Sequence, residues 1–280
     1  MNPMSSRLKG RTVLVTGAAR GIGFATAAQF ADAGCRLILT DCQQAALQEA
    51  AEKLRPRAFS LETCTVDVTR RDQVEAMARE VLGRYGSLDL LVNNAGIAHC
   101  GQLADTSLET WQRLLEVNLW GPLYHVYAFL PSMKQRHEGH IVNVSSGQAF
   151  FRLPTWGAYA TTKLALGAFS EILHFELRAY GIQVTTVYPY MVNTGFYEGV
   201  SAESFTARMS MRLLPYYSDT PEKVGRTIFN AVLRRKPVEM VSVVNDIGFY
   251  SRLIPPVSNA VSRVTTWLLT KDSVEGPRAH

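Results

Sequence analysis

Two side chains that could exchange a proton lie four residues apart in the sequence, Tyr159 and Lys163. Within a helix this spacing puts both on one face. A free tyrosine has a pKa near 10, and about 4 kcal/mol of differential interaction would bring that pKa to about 7. A nearby ammonium group can supply part of this interaction energy. Alone, such a pair is more often solvated on a helix surface, but with the motifs below it predicts a general acid/base at Tyr159.

Two hydroxyl side chains, Ser145 and Ser146, follow the predicted strand His140–Val144. They therefore lie at the edge where doubly wound parallel sheets bind ligands. Either hydroxyl could hold a substrate oxygen beside Tyr159. A hydrolase with Ser146 as its nucleophile is disfavoured, because no G-x-S-x-G motif surrounds this serine and no histidine stands in a convincing partner position.

A glycine-rich turn, Gly17–Gly23, joins a predicted strand to a predicted helix. Glycines at such a turn let the backbone bend tightly and approach a pyrophosphate. The amino terminus of the helix then offers free N–H groups and a partial positive charge to the phosphates. After the first strand of a βαβ unit, this pattern predicts a dinucleotide site. The residues that would form it are Gly17, Arg20, Gly21, Ile22 and Gly23.

An acidic residue at the end of the second predicted strand, Asp41, is placed to select between cofactors. It could accept hydrogen bonds from both ribose hydroxyls of the adenosine half and repel a 2′-phosphate. It could also simply cap the following helix. Arg20 favours the opposite preference, since a basic side chain could bind a 2′-phosphate. Because two anions facing each other in a partly desolvated pocket cost more than a mobile arginine gains, we expect NAD rather than NADP.

Strands and helices alternate along the sequence. Such alternation implies right-handed βαβ units and a parallel sheet with helices on both faces. Residues 1–246 are therefore predicted to form one doubly wound, Rossmann-like α/β domain of about seven strands, which residues 247–280 extend. The predicted strands are Arg11–Thr16, Arg36–Thr40, Ser60–Val66, Leu88–Val92, His140–Val144, Gln183–Val187 and Val238–Val243. The predicted helices include Ile22–Ala33, Ala45–Leu54, Arg71–Gly83 and Ala158–Tyr180.

The composition argues against several classes of protein. A chain of 280 residues that is 47% hydrophobic and 19% charged can bury a large core. A net charge of +5 without clustered basic and aromatic residues argues against nucleic-acid binding. The four cysteines are scattered, and the pair of His137 and His140 is interpreted as a surface turn, so no metal site is expected. With no signal peptide and no apolar run near the roughly 20 residues of a membrane span, we expect a cytoplasmic protein.

Taken in order, these motifs resemble those of the short-chain dehydrogenase/reductase family. The resemblance runs from about Gly10 to Val243 and implies hydride transfer between a nicotinamide cofactor and an alcohol or ketone. It also implies a homodimer or a homotetramer. The motifs that carry it are TGxxxGxG (Thr16–Gly23), Asp67 with Val68, Asn93–Gly96, Asn118, the serine pair, Tyr159-xxx-Lys163 and the proline-led segment from Pro189.

The resemblance implies roles for single residues. Ser146 would be the catalytic serine, because the family serine precedes the tyrosine by about a dozen residues, and Ser145 would bond the backbone. Asn118 would position a water in a proton relay through Lys163, although it could instead only bond backbone. The positive nicotinamide ring would help Lys163 to lower the pKa of Tyr159. The further cofactor contacts would be Asp67, Val68, Asn94, Ala95, Gly96, Pro189, Val192 and Thr194, while Tyr190 stands where the family usually has glycine.

Apolar residues near these motifs indicate a lipophilic substrate, such as a steroid, a retinoid, or a fatty or aromatic alcohol. The alternatives are an NADP-dependent carbonyl reductase and a non-catalytic nucleotide-binding protein on the same fold. The apolar face of Val257–Leu268 is expected to pack on the domain or across a subunit interface, the alternative being peripheral membrane contact through residues 257–270. The apolar residues are Phe150, Phe151, Leu153, Trp156, Phe196, Tyr197, Phe205, Met209 and Met211.

Overall fold

Seven parallel strands form one sheet in the computed structural model, which describes residues 5–150, 153–192, 218–242, 245–246 and 249–250. Their order across the sheet is β3-β2-β1-β4-β5-β6-β7, where the strands are β1 (Thr12–Thr16), β2 (Arg36–Asp41), β3 (Ser60–Thr65), β4 (Leu90–Asn93), β5 (Gly139–Val144), β6 (Ile182–Tyr188) and β7 (Val238–Met240). The fold class and the number of strands are confirmed.

Helices cover both faces of this sheet. The α-helices are α1 (Gly21–Asp32), α2 (Gln44–Leu54), α3 (Arg71–Tyr85), α4 (Leu108–Leu115), α5 (Gly121–Arg136), α6 (Gly157–Leu177) and α7 (Pro221–Arg234), with short 3-10 turns at Ser5–Leu8, Gly147–Ala149 and Arg178–Tyr180. Because neighbouring strand residues point to opposite faces, β1 contributes to two cores. Val13 packs in the core with Phe30 of α1, and Leu14 packs in the other with Phe129 of α5.

The strand order reverses between β1 and β4. The chain leaves β1 toward β2 on one side and leaves β4 toward β5 on the other. In open parallel sheets such a switch point opens a crevice at the carboxyl ends of the strands, where ligands bind. The sequence motifs that follow β1, β2, β4 and β5 therefore meet at one edge.

The chain between β4 and β5 contains an irregular helix that the sequence did not predict. The Ser107 side chain caps α4 by accepting a hydrogen bond from the Thr110 N–H, at 3.2 Å. A π-helical turn, Glu116–Trp120, then joins α4 to α5, with the Gly121 N–H donating to the Glu116 carbonyl. Single π turns inside α-helices occur frequently at functional sites. This one carries Asn118.

One expectation about the surface is wrong. His140 lies in β5 and not in a surface turn, because the strand begins at Gly139. Its ring nitrogen Nε2 lies 2.8 Å from the hydroxyl of Thr185. Burial, together with a smaller effect of the Arg235 charge, lowers the pKa of His140 to about 3. His140 is thus a neutral, buried residue of the sheet.

None of the helices that the structure describes is long and apolar enough to span a membrane. Most of the predicted extension, residues 247–280, lies outside the described residues, as does the proposed amphipathic face over Val257–Leu268. Its assignment to the domain or to a membrane surface stays a prediction.

Candidate active site

The glycine-rich turn after β1 has space only for glycine at two positions. Gly17 has a φ of +64°, and a Cβ there would lie 2.9 Å from the Cα of Ala95. A Cβ at Gly23 would lie 2.0 Å from the carbonyl oxygen of Gly17. Gly21 also has a positive φ, of +57°. The turn therefore brings bare backbone to the first turn of α1, an arrangement that fits a pyrophosphate.

Asn94 holds this turn against the end of β4. Its Nδ2 donates to the carbonyl of Thr16 at 2.9 Å and to that of Gly17 at 3.2 Å. The Thr16 hydroxyl accepts hydrogen bonds from the Asn94 and Ala95 N–H groups, both at 3.0 Å. The Asn94 amide nitrogen is thus used by the turn, which makes Asn94 a positioning residue at the cleft wall.

The carboxyl end of β2 brings an anion to the same cleft. Asp41 accepts hydrogen bonds from the Ala19 N–H at 3.2 Å and from the Gln43 N–H at 3.0 Å. The first bond holds the carboxylate against the glycine-rich turn, and the second caps the chain that enters α2. Both interpretations of Asp41 from the sequence are therefore compatible with its position.

Asp67 and Val68 line the cleft after β3. Asp67 accepts two hydrogen bonds from Thr69, from its N–H at 3.0 Å and from its hydroxyl at 2.8 Å. Val68 is buried against Gly121, where a Cβ would approach the valine side chain to 3.0 Å. Glycine at the start of α5 thus lets Val68 pack beside the cleft.

Tyr159 is 5% exposed and lies beside Ser146. Burial raises the pKa of Tyr159 to about 12 against the opposing effect of a hydrogen bond with Ser146. The Ser146 oxygen also accepts a hydrogen bond from the Gln148 N–H at 3.2 Å. A hydroxyl can accept and donate at the same time, so Ser146 can also donate its proton to the tyrosine oxygen, which favours the phenolate.

Lys163 is 3% exposed and lies one helical turn after Tyr159. Its ammonium group donates to the carbonyl of Val144 at 3.0 Å. A Cβ at Gly96 would lie 3.2 Å from the Lys163 Nζ and would crowd the ammonium group. Burial lowers the pKa of Lys163 to about 8.

Lys163 and a positive nicotinamide ring are predicted to lower the pKa of Tyr159 together, and this stays a prediction. In the protein alone, the causes that act on the pKa of Tyr159 are burial and the hydrogen bond with Ser146. Both Tyr159 and Lys163 are desolvated, which disfavours the charged form of each.

Asn118 is fully buried and uses its side chain within the protein. Its Oδ1 accepts from the Ile97 N–H at 2.9 Å, and its Nδ2 donates to the Ile97 carbonyl at 3.0 Å and to Thr162 at 3.1 Å. These bonds fix the chain after β4 against the helix that carries Tyr159. Asn118 is therefore a positioning residue through its side chain, and it does not line the cleft.

Ser145 and Asn93 have structural positions. The Ser145 hydroxyl donates to the Lys163 carbonyl at 2.7 Å, and the Asn93 Nδ2 donates to the Asn143 Oδ1 at 2.9 Å. The first bond joins the end of β5 to α6, and the second joins β4 to β5 within the sheet. The prediction that Ser145 bonds backbone is confirmed.

One cleft unites most of the predicted site residues. It encloses about 1280 Å³ including its open mouth. Gly23 and Asn118 do not line this cleft, and Thr194 lies outside the described residues. The predicted residues that line it are Gly17, Arg20, Gly21, Ile22, Asp41, Asp67, Val68, Asn94, Ala95, Gly96, Ser146, Tyr159, Lys163, Pro189 and Val192.

Comparison with known proteins identifies the family. The family model described as short chain dehydrogenase matches residues 11–204. The chain belongs to the short-chain dehydrogenase/reductase family. Its structure resembles that of a family member from Burkholderia phymatum in complex with NAD, with a TM-score of 0.78, 25% identity, and coverage of 98% of this chain and 99% of that one.

Relatives from bacteria and animals share this family. The chain is 34% identical over 264 residues to the Mycobacterium tuberculosis protein named "Probable oxidoreductase EphD", covering 90% of this chain but only 44% of that protein. It is 33% identical to dehydrogenase/reductase SDR family member 7B of Bos taurus, covering 90% of this chain and 80% of the relative. It is 34% identical to 17-beta-hydroxysteroid dehydrogenase 13 of Mus musculus, covering 83% and 74%.

The short-chain dehydrogenase/reductase cleft also contains residues that the sequence did not indicate. Cys42 and Gln43 follow Asp41 directly, so the strand end could have indicated them. Ile97 follows the Asn93–Gly96 motif in the same way. Arg113, on α4, and Met191 also line the cleft. Nothing in the sequence placed α4 beside the cleft, so Arg113 could not be found.

A cluster of apolar residues packs beside Tyr159. Trp156 meets the Tyr159 ring edge-on at 6.1 Å, in a cluster with Cys100, Leu153 and Ala98. Phe150, another of the apolar residues near the motifs, lies in the core and packs against Tyr188, at 4.5 Å between ring centroids. The 3-10 turn after Ser146 directs it into that core. Phe151 and the apolar residues from Phe196 to Met211 lie outside the described residues.

Proposed function

We propose that this chain is an NAD-dependent oxidoreductase that transfers a hydride between NAD(H) and a secondary alcohol or ketone with a lipophilic body. The observation that carries the proposal is the shared cleft. Tyr159, hydrogen-bonded with Ser146 and followed by Lys163 on one helix face, opens into the same space as the glycine-rich turn. A proton-transfer group and a dinucleotide cradle are thus adjacent.

The chain's own residues move and hold the proton. When bound, a nicotinamide cofactor supplies the hydride acceptor or donor and, in its oxidised form, a positive charge near these groups. The Tyr159 oxygen accepts the proton of the substrate hydroxyl during oxidation and returns it during reduction. Ser146 donates to the reacting oxygens and holds them beside Tyr159. Lys163 stabilises the phenolate of Tyr159. Asn118 fixes the chain after β4 against the helix that carries Tyr159 and Lys163.

The preference for NAD rests on Asp41. Its carboxylate lies at the cleft, against the Ala19 N–H of the glycine-rich turn. A 2′-phosphate there would face a fixed anion, whereas ribose hydroxyls could donate to it. Tighter binding of NADP than of NAD by the wild-type protein would refute this and would favour an NADP-dependent carbonyl reductase.

The apolar cluster beside Tyr159 favours a lipophilic substrate. Trp156, Leu153 and Cys100 would contact a molecule whose oxygen meets Tyr159. Apolar walls with few polar groups are typical of small-molecule sites. The mouse relative is named a hydroxysteroid dehydrogenase, which agrees with a substrate of this kind.

A homo-oligomer, either dimer or tetramer, is part of the proposal. Three large side chains on the outer faces of α5 and α6 are exposed, Tyr127 by 65%, Ile172 by 60% and Phe175 by 68%. Clustered exposed apolar residues often mark protein contacts. A monomeric mass in solution at micromolar concentration would contradict this part.

The decisive experiment is the substitution Tyr159→Phe. It removes the hydroxyl and keeps the ring, so turnover of secondary alcohols with NAD should fall by at least roughly 100-fold. NADH binding, followed by fluorescence, should be nearly unchanged. The control is Tyr180→Phe, at the far end of the helix, which should leave both measurements unchanged. Near-normal turnover by Tyr159→Phe would refute the mechanism.

A further inference from the structure

Arg113 is an exposed residue of α4 that lines the cleft. In the part of the chain that the structure describes, its guanidinium group forms neither an ion pair nor a hydrogen bond. A guanidinium group is flat, carries five N–H donors and stays charged at every physiological pH. At the side of an open cleft, such a group can contact a ligand that enters the cleft.

The acidic residues that would usually pair with Arg113 are engaged by other groups. Glu109 lies four residues before Arg113 and Glu116 three residues after it, the spacings at which ion pairs form on a helix. Glu109 instead bonds with its own backbone N–H and with the Ser107 hydroxyl, which lowers the pKa of its carboxyl group. Glu116 accepts a hydrogen bond from the Gln112 amide at 2.8 Å. Neither carboxylate therefore holds the Arg113 side chain on the helix surface.

The part of the cleft beside Arg113 is apolar. Val117 follows Arg113 by four residues, is buried and lines the same cleft. Val66 and Val68, which follow β3, are also buried and also line it. Val68 lies against the start of α5, since a Cβ at Gly121 would lie 3.0 Å from the valine side chain. This end of the cleft thus has buried valines within it and a guanidinium group at its exposed side.

The adenosine half of a dinucleotide fits this end of the cleft. The glycine-rich turn would hold the pyrophosphate, and Tyr159 with Lys163 marks the end where the nicotinamide reacts. The adenosine half then lies toward the ends of β2 and β3, where the valines are. The faces of a purine ring are aromatic and apolar, so valines can pack on one face while a guanidinium group stacks on the other.

We infer that Arg113 is a cofactor-binding residue that stacks its guanidinium group on the adenine ring of the dinucleotide. Arg113 is solvated in the free protein and is covered when the dinucleotide binds. Its contact is with the flat face of the ring, so the planar shape of the guanidinium group matters as well as its charge. This inference rests on the proposed binding of a nicotinamide dinucleotide and adds a residue to that site.

The first test measures the affinity of the cofactor-free protein for NADH and for ADP-ribose, which lacks the nicotinamide, by isothermal titration calorimetry. Arg113→Ala should raise the Kd of both ligands by about fivefold or more, because a cation–π contact is lost. The control is Arg226→Ala on the exposed side of α7, away from the cleft lining, which should leave both Kd values unchanged.

An unchanged Kd for NADH in Arg113→Ala would overturn the inference. A weaker affinity for NADH with an unchanged affinity for ADP-ribose would overturn it as well, because Arg113 would then act at the nicotinamide end. No binding of NADH by the wild type would refute the proposed function itself.

The second test separates stacking from a charge contact with a phosphate group. Arg113→Lys keeps the charge and loses the planar face, so it should raise the Kd of NADH nearly as much as Arg113→Ala does. A wild-type Kd in Arg113→Lys would overturn stacking in favour of a phosphate contact. The melting temperature of both cofactor-free variants should equal that of the wild type, because the Arg113 side chain is exposed and has no partner among the described residues. A lower melting temperature in Arg113→Ala would indicate a structural role and would overturn the inference.

Discussion

Replacing Lys163 by methionine should separate stability from activity. Lys163 is buried, and its ammonium group has one hydrogen bond, to the carbonyl of Val144. Burial lowers the pKa of Lys163 from 10.5 to about 8. In the unfolded chain the residue is solvated and returns to its ordinary pKa. The folded state therefore binds this proton less tightly than the unfolded state does.

The sign of the pH dependence follows from this difference. Below about pH 8 Lys163 is charged in both states, and the buried charge opposes folding. Between about pH 8 and about 10.5 the folded state loses the proton first, so the stability of the wild type rises with pH. Each pH unit between the two values corresponds to about 1.4 kcal/mol, which gives a penalty of roughly 3 kcal/mol near pH 7 and roughly 1 kcal/mol near pH 9.5.

Lys163→Met has no such penalty but leaves the Val144 carbonyl unpaired, at about 1–3 kcal/mol. The two contributions nearly cancel near pH 7, where the variant should be about as stable as the wild type. Near pH 9.5 it should be less stable by about 2 kcal/mol. Hydride transfer should be lost at every pH.

Urea unfolding of both proteins, free of cofactor, near pH 7 and near pH 9.5 measures this difference directly. Lys53→Met, on the exposed side of α2, is the control and should show no pH-dependent change relative to the wild type. A Lys163→Met variant that differs from the wild type by the same free energy at both pH values would refute the reasoning.

Four further substitutions test the cleft. Gly23→Ala should abolish NADH binding, measured by fluorescence, because its Cβ would lie 2.0 Å from the Gly17 carbonyl oxygen; retained affinity would contradict the cradle. Asp41→Ala should shift the ratio of kcat/KM for NAD over NADP toward NADP by about tenfold or more, and an unchanged ratio would remove Asp41 from cofactor selection. Ser146→Ala should lower kcat by at least roughly 100-fold, whereas Ser145→Ala should chiefly lower the melting temperature; equal effects on kcat would contradict the two roles.

The sequence predicted those parts of the fold and site that depend on local pattern. The apolar runs at Val13 and Leu37 indicated buried parallel strands, because a sheet covered on both faces needs no alternation. The turn at Gly17 was predicted because it follows such a strand directly. Asp41 and Ser146 each follow a predicted parallel strand, and the carboxyl ends of such strands lie at one edge of the sheet, so the sequence placed both residues at that edge.

Features that depend on packing between distant segments were not predicted. The π turn at Glu116–Trp120 has no sequence signal, and it decides that Asn118 points to Ile97. Which of the apolar residues near the motifs lie in the core was not predicted, and Phe150 is one that does, since its ring packs against Tyr188. The burial that raises the pKa of Tyr159 was not predicted, because the spacing to Lys163 gives proximity but does not give the degree of burial.

The hydrogen bonds between Thr16 and Asn94 join positions 78 residues apart in the chain. The glycine-rich turn comes from the first half of the sheet, and Tyr159 with Lys163 comes from the second. Contacts between segments so far apart form slowly, since loop closure must precede any gain from them. During refolding, helical signal should therefore return before the chain can bind NADH. Affinity for the dinucleotide becomes a measure of completed folding, because neither half of the sheet contains a whole cleft.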